Sequence, residues 1–363
     1  MRMNALAGIL DHEGPYASAL FDVSRTTEDA RQKFDLRARA ARSRLDEAGA
    51  PAAVSDAVVE RLLEPTGVPG KAGRFVVATP GGVEVDETLP NWAGTEVLTW
   101  GPLPDVTSWL AYRDSTAPVV VVVADRIGAD LYCYRAWGDD PELTRTVDGR
   151  TLHVSKVPDG GMARADLQNP TEEVWRGNAR EVAAEIERVC ETDPWLVVLA
   201  GDPRAKHEIR AAVGPSIAHR LVEAEHGSRA EGSSPDTLHA DVDAAVRRAV
   251  DDRRHAAVRR LEEHAGRDSA VAVGLPDVLD AAVQRSLDTV VLDGERSAAR
   301  TVRPADHPDL PLPRTARSAA ELRADLLVLA AAASSSAEVV FAGAEMLPDD
   351  GVAAMLRWDL PGS

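Results

Sequence analysis

Two short apolar runs constrain the fold most: "PVVVVVA" at Pro118–Ala124 and "WLVVLAG" at Trp195–Gly201. Both are too short for a buried helix and are rich in β-branched residues, so each reads as a buried strand. A turn at Asp125–Gly128 and the run "ADLYCYRAW" follow the first, which makes it the opening arm of a hairpin. "DGRTLHVSKV" (148–157) reads as a third strand, and a helix is expected from about Pro170 to Cys190. Asn169 is placed to cap that helix, with Pro170 at its first position and Glu172 and Glu173 in its first turn. "PRAKHEIRAAV" supplies a second helix, leaving the C-terminal end of "WLVVLAG". The order β-β-β-α-β-α predicts a mixed sheet with helices.

The flanking sequence suggests a domain on either side. Before residue 115, helices are expected over Thr26–Ala48 and Ser55–Leu63, then a hairpin in "RFVVATPGGVEVDE" and a strand in "TEVLTW". A polar Gly/Ser-rich stretch, His226–Asp236, reads as a linker. Beyond it come a charged helix over Thr237–His264, a helix in "LPDVLDAAVQRS", a strand in "LDTVVLD", and a Pro-rich loop at 304–313. A helix over Ser318–Ala333 and strands in "AEVVFAG" and "GVAAMLRW" complete the chain. The fold class expected is therefore α/β and α+β in three domains, 1–115, 116–228 and 237–363, each a mixed sheet with helices.

Charge narrows the function. Lys and Arg number 41 against 59 acidic residues, a net charge of −18, which argues against a protein that coats nucleic acid with a globally basic surface. A local patch is still available. Between Arg25 and Arg44 there are seven basic residues against three acids, and these suit either a solvated outer face or a phosphate-binding one. The two cysteines, Cys133 and Cys190, form no disulfide framework or metal-ligand spacing, and the N-terminus has no apolar signal core. The longest apolar run, Leu326–Ala333, is too short to span a bilayer. A cytoplasmic protein without a membrane partner is expected.

Local motifs give no active site. No Gly-x-Ser-x-Gly elbow, P-loop or Gly-x-Gly-x-x-Gly follows any strand. His207 and Glu208 share a helix, but no second histidine lies four positions on to complete a zinc site. At the strand-to-helix turn "AGDPRAK", Asp202 is better read as a helix cap than as one wall of an anion site, because its own charge fills the helix end.

Four segments carry a resemblance. "VVVVVADRIGADLYCY", "VPDGGMARADLQ" running into "EEVWRGNAREVAAEI", and "VVLAGDPRAKHEI" together resemble the middle domain of the archaeal and eukaryotic class I peptide-release factors. "VGLPDVLDAAVQRSLDTVVLD" resembles that family's C-terminal domain, and the closing "DDGVAAMLRW" is similar to the end of its ribosome-rescue relative Pelota. Bacterial members of this superfamily include ribosome-hibernation factors such as Balon.

The resemblance implies a site. Gly160 and Gly161 match the paired glycines that let the family's loop enter the peptidyl-transferase centre, where other residues resist the torsions required. Met162 stands where the family has Gln, and a thioether has neither the amide donor nor the carbonyl that positions a water against the peptidyl-tRNA ester. Gln168 lies six residues beyond Met162 and is a poor substitute for it. Neither the Asn-Ile-Lys-Ser loop nor the Tyr-x-Cys-x-x-x-Phe motif of stop-codon reading occurs before residue 115. The expectation is a ribosomal A-site factor that reads no codon, releases no peptide, needs no cofactor and serves hibernation or stress protection. Lys156, Arg164 and Arg176 around the glycine loop, and Arg37, Arg39 and Arg42 on the basic helix, are its expected contacts to ribosomal RNA. The family's C-terminal domain implies a translational GTPase as second partner, elongation factor Tu in a bacterium. Two other readings stand beside it. One is a rescue-type peptidyl-tRNA hydrolase that uses Gln168 or a neighbour to aim water; the other is an interaction module no longer on ribosomes, which an acidic surface suits. For the loop alone, the plain alternative is that Gly160–Gly161 is only a flexible turn.

Overall fold

A computed structural model describes residues 3–24, 28–67, 70–149, 164–191, 196–229, 235–266, 270–343 and 347–358. The chain forms two compact units, Met1–Asp114 with Asp252–Ser363, and Ser115–Asp251. The N-terminal segment of the first unit holds α1 (Asn4–Leu10), β1 (Tyr16–Asp22), α2 (Glu28–Glu47), α3 (Ala52–Leu63), β2 (Ala72–Thr79), β3 (Gly82–Pro90), β4 (Val97–Gly101) and α4 (Thr107–Asp114). Its four strands pair antiparallel in the order β3-β2-β1-β4.

β1 explains why the first and third expected segments, 1–115 and 237–363, share one unit. Side chains alternate along a strand. Ala17, Ala19 and Phe21 pack with Phe34, Ala41 and Leu45 of α2 and Val58 and Leu62 of α3. Tyr16 and Leu20 join a different core, which runs through Phe75, Trp109 and Leu110 to Leu327 and Leu329 of the C-terminal segment. Both faces of this sheet are apolar, so α2 and α3 cannot cover it alone.

The second unit contains β5 (Val119–Ala124), β6 (Gly128–Tyr134), β7 (Leu143–Asp148), α5 (Arg164–Val189), β8 (Leu196–Gly201), α6 (Pro203–Ala212), α7 (Pro215–Ala218) and β9 (Leu221–Glu223). Its sheet order is β7-β6-β5-β8-β9, with β5–β8 and β8–β9 parallel and the other pairs antiparallel. The valine run is central and covered on both sides. Val120 and Val122 face Val182 and Ile186 of α5 and Ile209 of α6. Val119, Val121 and Val123 face Val242, Val246 and Val250, which lie on α8 (Pro235–Ala265).

One expectation lies largely outside the described residues, and one needs correction. Of the third expected strand, 148–157, residues 150–157 lie outside the described residues; the strand that pairs with β6 is β7, Leu143–Asp148, with Leu143 against Cys133 and Asp148 against Gly128. It ends at Gly149, where a Cβ would sit 2.3 Å from the Ile127 carbonyl and from the Asn178 side chain. α5 begins at Arg164 rather than near Pro170, so Asn169 and Pro170 lie within it and do not cap it. Good helix formers before the proline (Ala165, Leu167, Gln168) extend the helix backwards.

The last turns of α8 and the rest of the chain complete the first unit: β10 (Val271–Val273), α9 (Leu275–Val283), β11 (Leu287–Leu292), α10 (Gly294–Ala298), β12 (Thr301–Val302), α11 (Arg314–Arg317), β13 (Leu322–Arg323), α12 (Ala324–Ser334), β14 (Glu338–Phe341) and β15 (Val352–Leu356). A sheet in the order β10-β15-β11-β14 has α9 and α12 in the core on one face, and Ala257, Val258 and Leu261 of α8 on the other. The helix expected from Ser318 starts only at Ala324, because Leu322 and Arg323 are held as a strand against Thr301 and Val302.

Two buried carboxylate networks fasten this unit. Asp114, fully buried, accepts from Arg253 Nη2 at 2.6 Å and from the Phe341 N–H at 3.1 Å, with Arg254 Nε at 3.6 Å. Burial pushes its carboxyl above the usual range, against the pull of Arg253. Arg323 donates to Asp105 at 2.6 Å and to Asp325 at 2.6 Å, and Asp325 also accepts from Thr107 Oγ1 at 2.6 Å. Removing one partner from a buried pair of this kind costs about 3–5 kcal/mol.

Candidate functional site

Lys156, Gly160, Gly161 and Met162 lie outside the described residues, and of Arg164 only the backbone is described, as the first residue of α5. Gln168 stands in the second turn of that helix. The described part of the site is therefore the body of α5 and what packs on it. Arg176 is exposed, with Glu172 Oε2 and Glu208 Oε2 each at 3.8 Å, both beyond hydrogen-bond distance.

Arg176 stands on the rim of a cavity of about 340 Å³ bounded by α5, α6 and the β5–β6 turn. Its floor is apolar, made by Ala179, Val182, Ala205 and Ile209, all buried. Trp175 forms a wall, and the Arg126 guanidinium lies 4.9 Å from its ring centroid. Several contacts fix Arg126. Its carbonyl accepts from Asn178 Nδ2 at 3.0 Å, and its Nη2 reaches Asp202 Oδ2 at 3.2 Å. The turn itself is locked by Asp125 Oδ1, which accepts from the N–H groups of Ile127 and Gly128 at 2.7 and 2.9 Å.

Asp202 caps α6, whose first turn lines the cavity. Its Oδ1 accepts from the N–H groups of Arg204 and Ala205 at 2.9 and 3.1 Å, which is the helix cap expected from the sequence. Burial raises this carboxyl, but the two N–H groups and Arg126 more than offset that and leave it below the usual carboxylate range. The turn from β8 into α6 requires glycine at 201: φ is +113°, and a Cβ would sit 1.9 Å from the Ala124 carbonyl oxygen. His207 and Glu208 both line the cavity. Among the described residues, no group of three or more His, Cys, Asp or Glu is placed to hold a metal ion.

The cysteines are buried rather than reactive. Burial raises the Cys190 thiol to about 11 and also pushes Cys133 upwards.

On α2 the three expected RNA contacts are not alike. Arg37 donates to Glu96 at 2.5 Å and to the Asp22 carbonyl at 2.9 Å. Arg42 donates to Asp56 at 2.6 Å and Asp46 at 2.9 Å. Both tie α2 to its own surroundings. Arg39 is exposed and makes no ion pair with a described residue, as do the exposed Lys33 and Arg44 on the same helix. Trp175, Arg126 and Arg204 escaped the sequence reading. The one signal for them was a tryptophan among the charges of a helix, in a chain with seven tryptophans.

Residues 118–267 match the bacterial archaeo-eukaryotic release factor family 2. This segment is similar to bacterial proteins of the release-factor kind, which the sequence segments also resemble. Two Mycobacterium tuberculosis proteins, MT2704 and Rv2629, are each 28% identical to it over 376 residues, covering 99% of this chain and 97% of the relative. Among solved structures, Archaeoglobus fulgidus Pelota is 16% identical with a TM-score of 0.39, covering 99% of this chain and 93% of its own. Saccharomyces cerevisiae Dom34, described as a translation termination-like factor that interacts with Hbs1, is 12% identical with a TM-score of 0.41, covering 80% of each chain. Among the described residues, no helix is long and apolar enough to cross a membrane.

Proposed function

We propose that this protein is a translation factor that occupies the ribosomal A site, reads no codon, releases no peptide, and protects idle ribosomes during hibernation or stress. The observation that carries the reading is the sequence Gly160–Gly161–Met162 ahead of α5, inside the segment that matches a release-factor family. The paired glycines keep the backbone freedom for a confined RNA cavity, while methionine has no hydrogen-bond donor with which to aim a water. Gln168, the substitute a hydrolase would need, lies six residues beyond Met162 and within α5. Arg39, Lys33 and Arg44 offer cations for ribosomal RNA phosphates, and a translational GTPase such as elongation factor Tu would deliver or accompany the protein.

Two assays on the full chain test this. In a sucrose gradient, the protein should co-sediment with 70S ribosomes, and the association should weaken with salt. On ribosomes carrying a labelled peptidyl-tRNA in the P site, it should release no peptide above background. Failure to sediment removes the ribosome reading; stoichiometric peptide release turns the protein into a hydrolase.

A further inference from the structure

The cavity between α5 and α6 has no role in the reading above. Its walls offer three chemistries together. Trp175 and the Arg126 guanidinium give flat π and cationic surfaces over a floor of Ala179, Val182, Ala205 and Ile209. Arg176, Arg204 and His207 stand at the rim, and none of their side chains makes a hydrogen bond to a described residue. Glu172 and Glu208 add acceptors beside them. An apolar ligand would fill the floor and leave three donor side chains unused. An acidic peptide carries no base to stack on Trp175.

A nucleotide meets all three. Its base stacks on an aromatic or guanidinium face, its phosphate takes the arginines and the histidine, and its hydroxyl and amino groups donate to the carboxylates. The volume, about 340 Å³, is at the small end of ligand pockets and admits one such group, not two. We infer that this cavity binds a single unstacked nucleotide, base inward against Trp175 and phosphate at Arg176 and Arg204. The same chemistry comes from a free nucleotide or from one unpaired residue of an RNA strand. The second source would extend the ribosome reading by giving the helix behind the glycine loop its own RNA contact, but the pocket does not depend on that reading.

The test titrates the full-length protein with fluorescent adenosine, guanosine, cytidine and uridine monophosphates, a short single-stranded RNA, and the same RNA as a duplex. Saturable binding of mononucleotide or single strand, with the duplex excluded, is expected. Tighter binding of the strand identifies RNA as the source; equal binding identifies a free nucleotide. Trp175→Leu should weaken binding at least about fivefold, the low end of a base–aromatic stack. Arg176→Ala, at an exposed position, should weaken it and flatten its salt dependence while leaving the melting temperature unchanged, so a folding defect in Trp175→Leu does not decide the matter. No saturable binding of any probe, or binding unaffected by both substitutions, overturns the inference. Ribosome co-sedimentation, measured in parallel, separates the two ideas: sedimentation without nucleotide binding sinks the cavity alone, and nucleotide binding without sedimentation sinks the ribosome reading alone.

Discussion

Replacing Asp202 by alanine probes the joint that builds the cavity. Two N–H groups at the start of α6, those of Arg204 and Ala205, lose their only side-chain acceptor at 2.9 and 3.1 Å. Loss of such a cap costs about 0.5–2 kcal/mol. The ion pair to Arg126, with side chains 45% and 26% exposed, is solvent-screened and adds about 0–1 kcal/mol. Asp202→Ala should therefore cost about 1–2 kcal/mol, which makes local opening of the α6 N-terminus about five- to thirtyfold more frequent. Hydrogen exchange at the Arg204 and Ala205 amides reads that ratio directly. Asp202→Asn keeps the acceptor and should lose only the ion-pair part.

The pH dependence carries a sign. The Asp202 carboxyl is depressed below its ordinary value of 3.8, so its contribution is full above that value and is lost as pH falls through the folded-state value. The gap between wild type and Asp202→Ala should be widest at neutral pH and narrow in acid towards the gap between Asp202→Asn and Asp202→Ala, while the small gap to Asp202→Asn closes. Equal exchange in wild type and Asp202→Ala at neutral pH would refute the capping argument.

Other substitutions follow from the same geometry. Gly201→Ala forces a Cβ to 1.9 Å from a backbone oxygen at φ +113°, and should lower stability by at least about 3 kcal/mol in a thermal melt. Gly177→Ala, in the middle of α5 with nothing within 4 Å of the new Cβ, should raise it by about 0.5–1 kcal/mol. With its thiol raised to about 11, Cys190 should stay unlabelled by a thiolate-selective reagent at pH 8 until the protein unfolds; rapid labelling of the native state would contradict its burial. Arg39→Glu should weaken ribosome co-sedimentation and leave the melt unchanged, whereas Arg37→Glu also costs stability by losing Glu96 and the Asp22 carbonyl.

The sequence made the strands of the second unit legible because β5 and β8 are buried on both faces, which writes an unbroken apolar run into each. Asp202 was legible because its cap is local. β1 was not anticipated: "YASALFD" mixes small and large residues, and its meaning emerges only once α2 covers one face and the C-terminal segment the other. β7 was not anticipated because "LTRTVD" is polar and mostly exposed, and its strand is decided by pairing with β6 rather than by an apolar run. The cavity was out of reach for a related reason. Arg126, Trp175 and Arg204 come from three elements about 30 to 50 residues apart in sequence, and only the parallel pairing of β5 with β8 brings the ends of those elements together.

Competition for the A site tests the central claim most directly. Ribosomes with a filled P site are loaded with labelled protein and titrated with a tRNA that enters the A site. The account predicts mutually exclusive binding, with protein released as tRNA enters and the P-site peptide intact throughout. A stable complex holding both the protein and the A-site tRNA would contradict it.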